Sequence, residues 1–377
     1  MSVQSQFSAT RVITGPGVIA SVGSEAKGLG MSVVMLLIDP FFADTPAGNA
    51  IQAALSATGL TVVRSTAVEP DPSAVTIQEL AAWAAQHRID GIVAVGGGSA
   101  IDTAKAVGLL RAHDVQHIAP FYHGGGATPA AMLPLIAVPT TAGTGSEVTF
   151  VAIVTEPSTQ RKLLIRHPVL TPAVALVDPD LTATMPAALT MATGMDALAH
   201  SLESLTSTMS SPMSDALAGA AIDIIVSALP RLVRHGHNPT DRAAMSNAAT
   251  IAGMAFLSGR LHLGHAVGHA LGGAYHVPHG PACVVLMPQI MALVAPARPV
   301  ATARIAAAFG CTVGDLPATL QRFMLDCGAP NLRTLIAPHS PSVAELIALF
   351  RGEERLINLS PIVPTTAQWE SMIQAAW

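Results

Sequence analysis

The amino-acid sequence predicts an α/β amino-terminal domain built on a parallel sheet, joined to an all-α carboxy-terminal domain. Three observations carry that reading. A chain of 377 residues is longer than one ordinary core accommodates, and domains of roughly 100 to 200 residues make two the natural count. The first half alternates short β-like runs with helical stretches, the pattern of strands joined by crossover helices. From about Pro186 onward the texture changes to long Ala-, Leu- and Met-rich helical stretches with few β-branched runs. The two domains are read as residues 1–180 and 181–377, with the hinge near Leu176-Val177-Asp178-Pro179-Asp180, where a last apolar strand meets a proline turn.

Taken in order, residues 32–38 read as a strand closed by Asp39-Pro40, residues 48–58 as a helix ended by Gly59, and residues 61–63 as a short strand. Residues 75–87 read as a helix. Residues 91–95 form a buried strand that runs straight into Gly96-Gly97-Gly98-Ser99, after which residues 100–110 have helical composition. A further strand over residues 135–138 runs into Pro139-Thr140-Thr141, so two strand-to-loop crevices result.

Composition bounds the function. Half of the residues are hydrophobic and only 11% are charged, which excludes a disordered chain. A net charge of −5, with no basic run, gives no electrostatic footprint for nucleic acid or an anionic membrane; a small neutral or weakly polar partner fits better. The mean hydropathy of +0.49 invites a membrane reading, but no uninterrupted apolar run reaches the roughly 18 residues of a spanning helix; the longest stretches, residues 33–38 and 283–296, read as buried core. The first fifteen residues lack the apolar centre of a secretory leader, and Arg11 is their only charged side chain. Three cysteines with no CxxC spacing fit a reduced compartment and neither a disulfide framework nor a thiolate zinc site, so a cytoplasmic location is expected. The apolar surplus points to surface covered by another subunit, with Ala-rich helices inflating the score as the rival explanation.

A strand that ends in GGGS and opens a helix puts backbone N–H groups and a helix N-terminus where they can hold a phosphate; a tight structural turn is the alternative. The GxGxxG fingerprint is absent, so this is not the ordinary Rossmann loop. The polar loop over residues 140–147 offers hydroxyls and flexible backbone near the same sheet edge. Asp39, at a strand end, stands where an acid binding an adenosine ribose 2′-hydroxyl would stand, and equally where an Asp-Pro turn would begin.

The histidines carry more information. Of fourteen, five (His262, His265, His269, His276 and His279) fall within eighteen residues. His265 and His269 share a helix face, and Gly272-Gly273 is read as the end of that helix. Upstream, Asp196 and His200 have the same i, i+4 spacing on another helix. A carboxylate and two or three imidazoles from separate helices suit a divalent first-row metal, Fe²⁺ or Zn²⁺. Spacing alone does not choose among His265, His269, His276 and His279.

Together these segments resemble one family over nearly the whole chain, the iron-containing (group III) alcohol dehydrogenases. GPGVIASVG (15–23) is similar to the family's opening, GGGSAIDTAKA (96–106) to its pyrophosphate loop, and PTTAGTGSEVT (139–149) to its second nucleotide loop. The stretches 178–203 and 264–280 resemble its two metal segments. The resemblance implies Asp196, His200, His265 and His279 as metal ligands and His269 as the catalytic histidine beside the reacting centre. It implies Gly97, Gly98 and Ser99 on the pyrophosphate, with Asp102, Thr140, Thr141, Thr144 and Lys162 lining the rest of the dinucleotide site. Asp39 then implies NAD in preference to NADP, because a carboxylate repels a 2′-phosphate. The implied fold is the dehydroquinate synthase-like one shared by the iron-containing alcohol dehydrogenases, with the active site in the cleft between the two domains, Fe²⁺ as the ion with Zn²⁺ as the alternative, and a homodimer or larger homo-oligomer.

Maleylacetate reductases are similar but typically lack the Asp-x-Ala-Lys continuation and carry a degenerate metal site, whereas Asp102 and Asp196 are both present here. Glycerol dehydrogenases share the ligand types, and a hydroxy-acid dehydrogenase could sit on the same fold. A lyase of the dehydroquinate synthase type needs a strongly cationic pocket, yet no lysine follows Lys162. A catalytically silent oligomeric scaffold is the reading from another class, and intact ligand positions speak against it. Val151 and Phe256 fall where pocket walls are expected and are apolar, which favours small primary alcohols and aldehydes; Phe256 as plain core is the alternative.

Overall fold

The computed structural model describes residues 9–158 and 161–377; residues 1–8, part of the segment read above for a leader, lie outside the described residues. The chain divides into two compact units. Among the described residues, one comprises 9–141 together with Gly145–Ala183, and the other comprises Thr184–Trp377 together with Ala142–Thr144.

The first unit carries strands β1 (Arg11–Thr14), β2 (Val33–Ile38), β3 (Thr61–Ser65), β4 (Gly91–Gly96), β5 (Leu135–Pro139), β6 (Val151–Glu156), β7 (Arg161–Arg166) and β8 (Val174–Val177). Six of them form one sheet in the order β1-β8-β5-β4-β2-β3, every neighbouring pair parallel, while β6 and β7 pair antiparallel as a separate hairpin that sequence patterning did not reveal. The central strands VVMLLI, GIVAVG and LIAVP are almost wholly buried, as parallel strands covered by helices on both faces must be. Helices α1 (Val22–Gly28), α2 (Pro40–Ala43), α3 (Pro46–Ala57), α4 (Ala74–Gln86) and α5 (Gly98–His113) supply that cover. Helix α3 begins two residues earlier than the composition suggested, because Thr45 accepts from the Gly48 N–H and Pro46 suits the first turn. Helix α5 is longer than read at both ends and is buried along Ala100, Ile101 and Thr103 to Leu110.

The register levels the carboxyl ends of the central strands. Ile38 pairs with Val95 and Gly96 with Pro139, so Asp39, Gly96 and Pro139 stand at one height, with Gly97 and Thr140 one residue further along. From β2 the chain leads to β3 on one side, and from β4 to β5 on the other, so the crevice between β2 and β4 is the point where strand order reverses, the place where open α/β sheets bind ligands.

The second unit is helical, with α6 (Ala187–Thr206), α7 (Pro212–His235), α8 (Pro239–Gly259), α9 (Leu263–Tyr275), α10 (His279–Val284) and α11 (Met287–Val294) followed by further helices to the carboxy terminus. Helix α6 is central: every residue from Gly194 to Thr206 is buried, against α7, α8, α9 and α10. Among the described residues α7 is the one helix long and apolar enough to cross a bilayer by length and composition, which a search for uninterrupted apolar runs had not picked up. Its Ile222, Ile225, Leu229 and Leu232 lie in the core of the helical unit, and Asp223 pairs with Arg304 at 3.0 Å, as in a core helix of a globular protein. Helix α9 does not stop at Gly272-Gly273. It runs on to Tyr275, and His276 takes the left-handed stop at φ 53°; packing outweighs the roughly 1 kcal/mol that each helical glycine costs.

Candidate functional site

Helix α6 spaces Asp196, His200 and Glu203 at i, i+4 and i+7, which places all three on one face. Because α6 is buried around its whole circumference there, the three polar groups need partners from neighbouring helices. Helix α9 brings His265, and α10 brings His279 with its first residue. The three imidazole Nε2 atoms of His200, His265 and His279 stand 3.5, 3.6 and 3.7 Å from a single atom, Asp196 Oδ1. That oxygen and His265 Nε2 are buried without a hydrogen-bond partner. A coordination tetrahedron with metal–ligand bonds of ~2.0–2.1 Å has edges of about 3.4 Å, so each of these three distances is close to one edge running from Asp196 to an imidazole.

The protonation states divide: burial lowers the His265 imidazole, but Cys283, Glu203 and Asp196 outweigh it and hold that ring well above the ordinary value in the absence of an ion. Burial alone would raise the Asp196 pKa, but the charges of His200, His279 and His265 hold it well below the usual carboxylate range. Burial pushes His200 down to about 4, so its imidazole presents a lone pair at neutral pH; His279, whose side chain is 41% exposed, is shifted in the same direction. Glu203 opposes burial through His265 and His262 and is held near 2. Its Oε1 accepts from the backbone N–H groups of His262 at 2.9 Å, Gly264 at 2.8 Å and His265 at 3.2 Å, so it caps α9 from another helix. Its Oε2 takes the Nδ1–H of His265, which turns Nε2 of that ring toward Asp196.

The remaining histidines separate. His262 is fully buried with Nε2 2.9 Å from the Thr206 hydroxyl, a core residue. His276 is the exposed cap of α9. His269 is half-buried one turn beyond His265, its ring 5.6 Å from that of His279 and its Nδ1 3.8 Å from Glu353 Oε2. Phe256 of α8 stacks on His200 with centroids 4.3 Å apart, an apolar wall beside the cluster. Val151 belongs to the sheet-bearing unit, where it opens β6 and lends its carbonyl to Lys105.

At the carboxyl edge of the sheet, Asp39 N donates to Val95 O at 2.8 Å and Thr140 N to Gly96 O at 3.0 Å, which holds the three strand exits together. Gly97 is the N-cap of α5 and no side chain caps that end, so the first N–H groups at Gly98 and Ser99 are left for an anion. A side chain at 97 would press on Thr141, with its Cβ 3.3 Å from the hydroxyl. Asp39 Oδ1 accepts from Phe41 N at 2.9 Å, so this residue does begin a turn while standing at the crevice. The Asp102 carboxylate is spent inside the protein, on Ser146 Oγ at 2.6 Å and Ile153 N at 3.0 Å. Lys162, on β7, pairs with Asp71 at 2.6 Å. Thr144 lies in the short segment counted with the helical unit.

A family model described as iron-containing alcohol dehydrogenase matches residues 9–179, and one described as the Fe-containing alcohol dehydrogenase family, C-terminal, matches residues 190–376. The chain belongs to the iron-containing alcohol dehydrogenase family. It is 32% identical to the NAD-dependent methanol dehydrogenase of Bacillus methanolicus over 97% of both chains. Its backbone superposes on a crystal structure of 1,3-propanediol oxidoreductase with a TM-score of 0.92, at 29% identity and over 100% of each chain. A sulfoacetaldehyde reductase from Bifidobacterium kashiwanohense, in complex with NAD+, gives 0.92 at 28% identity over 100% of this chain and 99% of that one.

In this iron-containing alcohol dehydrogenase, sequence reading missed three residues that shape the sites. Glu203 had a local signal, the third polar position of the Asp196–His200 face. Lys105 stood in the Asp-x-Ala-Lys continuation without an assigned role: it is fully buried, donating to Ser146 Oγ at 2.8 Å and Val151 O at 2.7 Å beside Asp102, contacts that exist only once α5 meets the following loop. Cys283, on α10, places Sγ 3.5 Å from His279 Nε2.

Proposed function

We propose that this chain transfers hydride between a small primary alcohol or its aldehyde and NAD, at a divalent metal held by Asp196, His200, His265 and His279, with Fe²⁺ as the ion and Zn²⁺ as the alternative. The observation that carries the proposal is the convergence of three imidazole Nε2 atoms, 3.5–3.7 Å away, on one buried, unpartnered carboxylate oxygen. A divalent ion in that position supplies Lewis acidity, which favours the deprotonated alcohol in one direction and polarises the carbonyl in the other.

The chain's own residues do the rest. Gly97, Gly98 and Ser99 at the start of α5 take the pyrophosphate, and Thr140, Thr141, Thr144 and Lys162 line the remainder of the dinucleotide site. Asp102 braces the loop after β5 through Ser146, and Asp39 selects NAD over NADP by repelling a 2′-phosphate. Glu203 holds the His265 proton on Nδ1 and keeps Nε2 as the donor. Phe256, stacked on His200, keeps water from one side of the centre and favours an apolar substrate; Val151 is assigned to the pocket wall on its apolar character alone. His269 relays the alcohol proton, with Glu353 beside its Nδ1. Replacing His269 with Ala is expected to change the shape of the pH–rate profile, and an unchanged profile would remove the relay.

We place the enzyme in the cytoplasm on its three free cysteines. We take it to be a homodimer or larger on its low charge and apolar surplus, with a small-molecule alcohol or aldehyde as its partner and neither nucleic acid nor membrane. The test is NADH formation from a panel of short primary alcohols, with chelator-stripped protein reloaded anaerobically with Fe²⁺ or Zn²⁺. Activity should return only with metal. Metal and NAD binding without turnover of any of these alcohols would overturn the substrate class, and failure to bind metal would overturn the centre itself.

A further inference from the structure

The described residues contain a second donor set that shares three members with the one read from the sequence. One ligand atom each from Asp196, His265, His279 and Cys283 lies within 4.8 Å of every other. Cys283 follows His279 by one turn on α10, so the two side chains leave the helix on the same face, with Sγ 3.5 Å from His279 Nε2. Room for the sulfur is made by Gly268 of α9, where a Cβ would overlap Cys283 Sγ. The thiol is buried, and it borders the same space into which Asp196 Oδ1 and His265 Nε2 point without partners, on side chains only 6% and 2% exposed.

We propose that Cys283 is a ligand of the metal in this chain, joining Asp196, His265 and His279 through Sγ. The proposal rests on the metal reading of the preceding section and adds sulfur to an otherwise oxygen and nitrogen donor set. Binding breaks the S–H bond and forms the sulfur–metal bond, with one proton released to solvent and no change of oxidation state. A thiolate is a soft donor, so it shifts the preference of the centre away from Fe²⁺ toward Zn²⁺ or Co²⁺, and it exposes the centre to loss of metal when the sulfur is oxidised.

Cobalt tests this without turnover. The full-length protein is stripped, loaded with one Co²⁺ per chain as measured by metal analysis, and its absorption recorded beside that of C283S and C283A. A sulfur-to-cobalt charge-transfer band in the near ultraviolet is expected in the unsubstituted protein and absent from both variants, whose visible cobalt bands persist because the histidines and Asp196 remain. Bound cobalt without that band in the unsubstituted protein, or a band that survives in C283A, would overturn the ligand assignment and leave the metal reading intact. Failure of the unsubstituted protein to take up cobalt would overturn both. The unsubstituted spectrum decides the matter even where a variant folds poorly.

Discussion

Glu203 makes four contacts to α9 with one carboxylate, three to backbone N–H groups and one to His265 Nδ1. Glu203→Gln keeps the size but loses the charge, and its amide nitrogen cannot accept the His265 proton. We expect metal affinity to fall by roughly 10- to 100-fold, the usual cost of losing a partner behind a ligand, with far-ultraviolet circular dichroism unchanged; unchanged affinity in a chelator competition would sink this role. Lys105 is the second residue with a measurable signature. Burial, only partly offset by Asp102 and Glu147, lowers its amine from the ordinary 10.5 to about 8. Between those values the unfolded chain binds more protons than the folded one, so the lysine's contribution to stability grows as pH rises through this window and is lost as pH falls through about 8. Urea unfolding followed from about pH 8 to 10 should therefore show stability rising more steeply in the parent than in Lys105→Met, and parallel curves would refute the assignment.

At the scale of elements, the proposed metal cluster depends on how closely α10 packs on α6. A Cβ at Gly280 would overlap the Ala192 carbonyl and lie 2.9 Å from Asp196 N, so only glycine lets His279 approach Asp196. Gly280→Ala should push α10 outward, destabilise the chain by about 1–3 kcal/mol as overpacking does, and leave substoichiometric metal; a variant with full metal content and an unshifted urea midpoint would contradict this. Much of this level was legible in the sequence. The i, i+4 spacing of Asp196 and His200 is a property of any helix, and the strand-GGGS-helix junction is local, so both could be read from neighbouring residues. The choice among five clustered histidines was not. It turns on which way α9 and α10 face α6, and on His262 finding Thr206 in the core. The continuation of α9 through Gly272-Gly273 also escaped a reading by propensity, because the packing of Val267, Ala270 and Leu271 holds the helix against that local cost.

For the whole molecule, each unit has its own hydrophobic core, and the proposed metal residues all belong to the helical one. An ion that binds the folded chain alone adds stability by mass action, about 2.7 kcal/mol at a hundredfold excess over its dissociation constant. Stripping the metal should therefore lower the melting temperature and reloading should restore it, while Asp196→Asn, which removes the anion on which the three imidazoles converge, should show no such response. A melting temperature indifferent to chelator in the parent protein would count against the centre.

What the sequence determined by itself was whatever repeats at short range. The parallel α/β texture and the helical half follow from hydrophobic periodicity, and the glycine loop and the Asp-x3-His face follow from residues a turn or less apart. The family resemblance drew on the same local segments. Tertiary structure decided the rest, because it alone brings together residues distant in the chain: Glu203 under His265, Lys105 beneath the loop after β5, Asp39 level with Gly96 and Pro139, and Cys283 beside His279 in the space that Gly268 leaves open. In each case a buried polar group must be satisfied by whatever the packing of separate elements presents to it, and no local pattern along the chain records which partner that will be.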